Sequence, residues 1–134
     1  MKKPSKKTLK NKADKLWSEI IRSKGKCEVC GITRNLQSHH IEGRRNLTLR
    51  FDLRNGVCLC PLHHTLSSRE SAHQSPLWFQ TWLTKNRRAD LNYLFKKRLE
   101  INDKIDYEEV LKELNEAKKQ LLLLSLLCLQ AKVS

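Results

Sequence analysis

Side chains that bind metal ions are concentrated in one short part of this 134-residue sequence. Four of the five cysteines and four of the five histidines lie between Cys27 and His64. Thiolate and imidazole groups are the ligands that zinc prefers in proteins. A C-x-x-C pair followed by histidines is typical of metal binding in a reducing compartment, and an odd number of cysteines does not suit a disulfide framework. The sequence therefore predicts a metal site in this segment.

Two pairs of ligands with the same spacing indicate a structural zinc site. Cys27 and Cys30 form the first pair, and the glycine that follows them permits a tight turn. Cys60 and His63 form the second pair, and four such ligands suit tetrahedral zinc, which adds folding free energy to a small domain. Cys58 is an alternative to Cys60, because residues two apart share one face of a strand. A redox role for the first pair is a weaker alternative, since no thioredoxin-like pattern surrounds it.

A second group, formed by His39, His40, Asn55 and His64, has the composition of a hydrolytic site. Adjacent histidines at a strand end point to opposite sides, so one can bind a metal while its neighbour faces a water or a phosphate. An imidazole is suited to act as a general base near neutral pH. His64 can approach the same cation from across a hairpin, and a metal with two protein ligands keeps open positions for substrate. Asn55 can hydrogen-bond either the backbone or an imidazole.

The elements that position these residues follow from apolar periodicity. Apolar side chains repeat at helical spacing from Leu9 to Ile21, which predicts a first helix that ends before Gly25. Pro61 can open a helix that carries the two histidines following it. The three tryptophans lie on predicted helices and are interpreted as core residues rather than as base-stacking platforms. The remaining predicted elements are strands at residues 35–41 and 56–60, and helices near 77–83, near 89–100 and from about 107 to the end.

The expected fold class is α+β.

The sequence from Leu121 to Leu129 is apolar on all sides, which implies burial against a partner surface. Two alternatives are a homodimer interface through the C-terminal helix and packing on the helix that carries Trp78 and Trp82. The run is much shorter than the roughly 20 residues that cross a membrane, so no membrane partner is expected. The predicted segments are a basic N-terminal helix at 1–25, a core with the zinc site at 26–75 and a helical extension at 76–134.

The net charge of +13 indicates a polyanionic partner. A surface with 27 basic and 14 acidic residues attracts nucleic acid and raises its encounter rate. Candidate DNA-contacting residues in the loop between the predicted strands are Arg44, Arg45, Arg50 and Arg54. The N-terminus has lysines but no apolar run behind them, so no secretory signal is expected and a cytoplasmic location is predicted.

From Cys27 to Ser68 the chain resembles the HNH endonuclease family. The family pattern is two adjacent histidines, fourteen residues, an asparagine, eight residues, a histidine, three residues and a histidine. Here His39 and His40 are followed at those spacings by Asn55 and His64, and the last position holds Ser68. Many members carry paired zinc knuckles whose last ligand immediately precedes the third motif histidine, the position of His63. The stretch from Leu49 to Cys60 also resembles phage-borne HNH proteins.

The resemblance implies a ββα-metal core with a structural zinc ion, flanked by N-terminal and C-terminal helices. His39 and His64 would bind the catalytic divalent metal, His40 would be the general base, and Asn55 would orient the loop or His40. Ser68 removes a third metal ligand, which favours Mg²⁺ or Mn²⁺ with several bound waters. The implied activity is metal-dependent hydrolysis of DNA phosphodiester bonds. The alternatives are a zinc-stapled DNA-binding module without catalysis and an accessory protein of phage recombination or packaging.

Overall fold

The fold is of the predicted α+β class, with one small sheet and several helices. The structure is a computed structural model, and it describes residues 1–133. The chain forms two compact units: residues 18–105, called here the hairpin unit, and the terminal unit, made of residues 1–17 and the chain from 106 onwards. The elements in chain order are α1 (Lys6–Arg22), β1 (Gln37–His40), a 3₁₀ turn (Leu53–Asn55), β2 (Gly56–Leu59), a π-helical turn (Leu62–Leu66), α2 (Pro76–Asn86), α3 (Arg88–Lys97) and α4 (Tyr107–Val133).

The sheet of the hairpin unit is an antiparallel pair of four-residue strands. His39 faces Val57 and His40 faces Gly56 in the register, so both histidines lie at the end of β1 as the sequence predicts. The backbone amide of Ile41 donates to the carbonyl of Asn55 over 2.9 Å, which closes the base of the long connecting loop. This hydrogen bond holds the two ends of the loop together next to His40.

The core of the hairpin unit joins the sheet to the second helix. Val57, Leu59, Phe79 and Leu83 are buried in one apolar cluster together with Cys27 and Cys60. The two tryptophans of α2 are partly buried and pack against this cluster. Their interpretation as core residues is therefore confirmed, and α2 is an integral part of the unit that holds the candidate site.

The helix expected at Pro61 is only a single π-helical turn. The amide of Ser67 donates to the carbonyl of Leu62 over 2.9 Å, five residues back, and the chain then becomes extended. Serine hydroxyls bind the following amides and compete with a continued helix, as the Ser67 hydroxyl does with Glu70 (2.9 Å) and the Ser71 hydroxyl does with Gln74 (3.1 Å). The chain after residue 66 therefore turns back instead of continuing as a helix.

The terminal unit contains the first part of α1 and all of α4. The Ser5 hydroxyl accepts from the amide of Thr8 over 3.2 Å and so caps α1, whose apolar stripe is buried at Ala13 and Trp17. Leu114 is the buried side chain of α4. The leucines between residues 121 and 129 are 44% to 60% exposed. Among the described residues, no helix combines the length and apolar character that a membrane crossing requires.

Candidate metal centres

The four predicted zinc ligands lie together in the hairpin unit. The ligand atoms of Cys27, Cys30, Cys60 and His63 are all within 4.8 Å of one another. The sulfurs of Cys30 and Cys60 are 3.8 Å apart, and His63 Nδ1 lies 3.3 Å from the sulfur of Cys60 and 3.9 Å from that of Cys27. Tetrahedral zinc with standard bond lengths places two sulfurs about 3.8 Å apart and a sulfur and a nitrogen about 3.6 Å apart. This Cys3His cluster therefore fits a structural metal such as zinc.

A tight turn presents the first two sulfurs. The amide of Gly31 donates to the carbonyl of Cys27 over 2.9 Å, and Gly31 has a φ of 77°, a conformation that glycine adopts without strain. Glu28 fastens this turn to β2, because its carboxylate accepts from the amide of Cys58 over 2.6 Å and pairs with Arg87 over 2.9 Å. The turn that carries Cys27 and Cys30 is thus attached both to β2 and to the start of α3.

Cys60, and not Cys58, belongs to the cluster. Burial, together with the negative charge of Glu28, raises the pKa of Cys58 to about 11, so this side chain is a buried neutral thiol. Burial also raises the pKa of Cys27, but hydrogen bonds with the backbone of Cys30 and Cys60 outweigh it and hold the pKa below its ordinary value. The thiolate, which is the form that binds metal, is therefore favoured at Cys27.

A second cluster joins His39 and His64 to His73, a residue to which the sequence patterns gave no role. The three imidazoles have a ligand atom each within 4.8 Å of one another. Their ring centroids are 4.8–5.2 Å apart. Burial and the neighbouring imidazoles lower the pKa of His39 to about 3, and burial followed by His73 lowers the pKa of His64. Both imidazoles are therefore neutral at pH 7, which is the state that can bind a metal.

Gln37 on β1 fixes the orientation of His64. Its side-chain oxygen lies 2.5 Å from His64 Nδ1, so Nδ1 carries the proton and Nε2 presents its lone pair. That Nε2 is 3.2 Å from Nε2 of His73. Two imidazole nitrogens on one cation, with bonds of about 2.1 Å and an angle of about 90–110°, are about 3.0–3.4 Å apart. The spacing of the two nitrogens fits a shared metal ion.

His73 reaches this position because the chain turns back after the π-helical turn. The amide of His73 donates to the carbonyl of His64 over 3.1 Å, and the amide of Ala72 donates to that of His63 over 2.9 Å. Ser68, the position that the family pattern would fill, is exposed. The only signal in the sequence was that His73 is the one histidine of five to which no role had been given.

His40 is held by a backbone carbonyl next to the second cluster. Its Nε2 lies 2.8 Å from the carbonyl oxygen of Arg50, which can only accept, so Nε2 carries the proton. This contact fixes the orientation of the His40 ring at the cleft that it lines.

Asn55 binds the backbone of the loop. Its side chain is fully buried, and its oxygen accepts from the amide of Glu42 over 2.7 Å. Its amide donates to the carbonyls of Glu42 (2.9 Å) and Leu49 (3.0 Å). Asn55 thus ties the two ends of the loop together, and the loop includes the carbonyl that orients His40.

The four candidate DNA-contacting arginines fall into two groups. Arg44 and Arg45 line an open cleft of about 790 Å³, together with His39, His40, His64 and His73. Arg50 is buried and donates to the carbonyl of Arg44 over 3.1 Å. Arg54 pairs with Asp90 over 2.7 Å and covers the ring of Tyr93 at 4.0 Å. The first two arginines therefore share the cleft with the histidines, whereas Arg50 and Arg54 are engaged inside the hairpin unit.

The comparisons with known proteins add no family assignment. No protein-family model, curated protein or solved structure matches this chain. The chemistry of the site is therefore inferred from its own geometry. A Cys3His cluster adjoins, through His63 and His64, an open cleft that is lined by His39, His40, His64 and His73 and by two arginines.

Proposed function

We propose that this protein is a metal-dependent DNA endonuclease with an HNH-type ββα-metal site. The observation that carries the proposal is the cleft itself, in which His39 and His64 converge while His40 is held at its Nε2 by the carbonyl of Arg50. The spacing of these residues in the sequence resembles the HNH pattern, and the β1–loop–β2 hairpin followed by the π-helical turn supplies them from adjacent elements.

The residues of the cleft have distinct expected roles in phosphodiester hydrolysis. Arg44 and Arg45 bind the phosphate backbone, as their position in the lining of the histidine cleft allows. His40 takes a proton from the attacking water, and the resemblance implies products with a 5′-phosphate and a 3′-hydroxyl. A divalent cation held by His39 and His64 would polarise the phosphate and stabilise the leaving oxygen. Asn55 positions His40 indirectly, because it closes the loop that carries the Arg50 carbonyl.

The structural metal has a separate expected role. A zinc ion on Cys27, Cys30, Cys60 and His63 would fix the turn, β2 and the π-helical turn to one another. His63 and His64 are consecutive, so this fixation also sets the position of a cleft histidine. Metal binding at the knuckle is therefore expected to contribute to stability and to the precision of the site.

Cleavage of supercoiled plasmid DNA tests the proposal. Wild type and His40→Ala are compared with added Mg²⁺, Mn²⁺, Co²⁺ or Zn²⁺, and without added metal after removal of loosely bound ions. We expect wild type to nick the plasmid only with added metal, and His40→Ala to bind DNA equally well but to cleave it about 10²–10⁴-fold more slowly. Equal DNA binding without cleavage by either protein, with both folded by circular dichroism, would refute a nuclease.

A zinc-stapled DNA-binding module is the second candidate. The Cys3His cluster favours it, because this cluster has a complete tetrahedral ligand set that does not need the cleft histidines. Such a module would bind DNA through the basic surface of a chain with a net charge of +13. It would be indifferent to His40→Ala, so the plasmid experiment separates the two functions.

A further inference from the structure

We propose that His73 is the third protein ligand of the cleft cation, and that the cleft consequently selects a transition metal of the zinc, cobalt and nickel group over Mg²⁺. The juxtaposition that leads to this proposal is that of His73 with His39 and His64, three imidazoles from three separate segments that converge in the cleft. The catalytic meaning of the inference rests on the proposed nuclease function, but the metal site itself does not.

The position of His73 is fixed by its backbone. Ala72 and His73 donate to the carbonyls of His63 and His64, so the segment lies alongside the π-helical turn. The side chain of Gln74 extends the same attachment, because its amide nitrogen donates to the carbonyl of Thr65 over 2.5 Å. His73 is therefore presented to the cleft by a braced segment rather than by a loose loop, as a metal ligand requires.

The three rings form a group of three rather than a simple hydrogen-bonded pair. The 3.2 Å contact between the Nε2 atoms of His64 and His73 is compatible with both arrangements. His39 distinguishes them, because a pair needs no third imidazole, yet its ring lies 5.1–5.2 Å from both of the others at angles of 74–83°. Gln37 adds the feature common at metal sites, an acceptor for the distal N–H of a ligating histidine.

The composition of the ligand set decides the class of metal. In the described chain, residues 1–133, the group of potential ligands around His73 contains three imidazoles and no carboxylate. Mg²⁺ takes oxygen ligands in octahedral geometry, whereas imidazole nitrogens suit zinc, cobalt, nickel and copper. The expectation of Mg²⁺ or Mn²⁺ followed from the loss of a ligand at Ser68. With His73 in that role, the expectation changes to a transition metal.

Cobalt titration tests the inference directly. Protein that carries one equivalent of zinc is titrated with Co²⁺ and followed by visible absorption, in which thiolate-to-cobalt charge transfer marks the knuckle and its absence marks an imidazole site. We expect wild type and Ser68→Ala to bind one further Co²⁺ without thiolate bands, and millimolar Mg²⁺ not to displace it. His73→Ala should weaken this binding by about tenfold or more. His73→Asp, which restores a ligand, should recover part of it.

Three outcomes would overturn the inference: unchanged Co²⁺ affinity in folded His73→Ala, displacement of Co²⁺ by Mg²⁺, or no second site in wild type. Plasmid cleavage by the same samples separates this inference from the proposed function. If Co²⁺ binding depends on His73 but no DNA is cleaved, the nuclease function is refuted and the metal site is supported. If His73→Ala still cleaves DNA with Mg²⁺, the nuclease function is supported and the role of His73 as a metal ligand is refuted.

Discussion

The two clusters of metal-ligating side chains are joined by one peptide bond, between His63 and His64, but differ in their surroundings. In the Cys3His cluster, Cys27, Cys60 and His63 are 1%, 2% and 6% exposed, and Cys30 is the one exposed ligand. In the histidine cluster, His39 and His64 are half-buried and His73 is exposed at the cleft. The first has the four ligands of a complete tetrahedral set, whereas the second has three ligands that line an open cleft. This is the difference that separates structural from catalytic zinc sites in general.

The burial of each cluster follows from the elements that hold it. The knuckle ligands Cys27 and Cys60 belong to the same apolar cluster as Val57 and Phe79, so the knuckle forms part of the core. The cleft histidines lie where β1 ends and where the chain turns back, at the edge of that core. The type of ligand alone therefore does not separate a buried structural site from a site at an open cleft, since His63 and His64 are the same residue type at adjacent positions.

The largest effect on stability is expected when the Cys3His cluster, called here the knuckle, loses one of its ligands. Cys60→Ser removes one of four ligands, and structural zinc supplies roughly 10–16 kcal/mol in small domains, comparable with the whole stability of a protein. We expect the hairpin unit to lose its cooperative thermal transition in Cys60→Ser, measured by circular dichroism. His39→Ala, in the other cluster, should keep that transition. If both variants melt like wild type, the knuckle is not a structural site.

Cys58→Ala is the matched control for this experiment. Cys58 lies on the same strand, two residues from Cys60, and is a buried thiol with a pKa near 11. The variant should bind zinc with wild-type stoichiometry and lose only the packing of one sulfur. Loss of zinc from Cys58→Ala, measured with a chromogenic chelator, would contradict the assignment of Cys60 as the ligand.

An intermediate loss of stability is expected for substitution of Asn55, whose side chain holds the loop next to the histidine cleft. Asn55→Ala leaves the partly buried amide of Glu42 and two carbonyls without the partners that the side chain supplies. We expect a loss of about 2–4 kcal/mol of stability in urea unfolding at constant zinc. Because the loop also carries the carbonyl that orients His40, cleavage should fall with DNA binding retained. A variant with wild-type stability would show that the loop does not depend on this side chain.

The smallest effect concerns Tyr93 on α3, whose hydroxyl donates to Asp52 over 2.6 Å. This hydrogen bond, followed by burial, raises the pKa of Tyr93 to about 12. A raised folded pKa stabilises the protein fully below the unfolded value near 10, and this stabilisation is lost as the pH rises through 12. Tyr93→Phe should cost about 1–2 kcal/mol at pH 7 and nothing above pH 12.

Tyrosinate absorbance is the measurement for this last prediction. A step near pH 12 is expected in wild type and should be absent from Tyr93→Phe. In Asp52→Asn the step should move to lower pH, because the carboxylate that disfavours the phenolate is gone. A spectrum in which Asp52→Asn titrates as wild type does would show that the hydrogen bond does not control the pKa.

Local sequence signals predicted the parts of the molecule that are set by short-range geometry. The spacing of Cys27 and Cys30 predicted the first half of the knuckle, and apolar periodicity predicted the helices to within a few residues. The choice between Cys58 and Cys60 stayed open in the sequence, because both lie on the same strand face. Only the fold showed which sulfur reaches Cys30.

The sequence did not predict what depends on contacts between distant segments. His73 joins the cleft because residues 72 and 73 bond to residues 63 and 64, and no periodicity encodes this return of the chain. Arg54 resembled Arg45 as a basic loop residue, but Asp90 and Tyr93, far along the chain, engage its side chain. Composition predicted a basic loop, whereas burial and ion pairing decided which cations line the cleft.

The exposed leucines of α4 and the basic charge of the chain respond to ionic strength in opposite directions. Salt weakens the attraction between a protein with a net charge of +13 and a polyanion, through screening and the loss of counterion release. Salting-out anions such as sulfate strengthen the burial of apolar side chains, and the leucines between residues 121 and 129 expose 44% to 60% of their surface. Rising sulfate should therefore weaken the attraction of this basic chain to a polyanion while it favours the burial of these leucines.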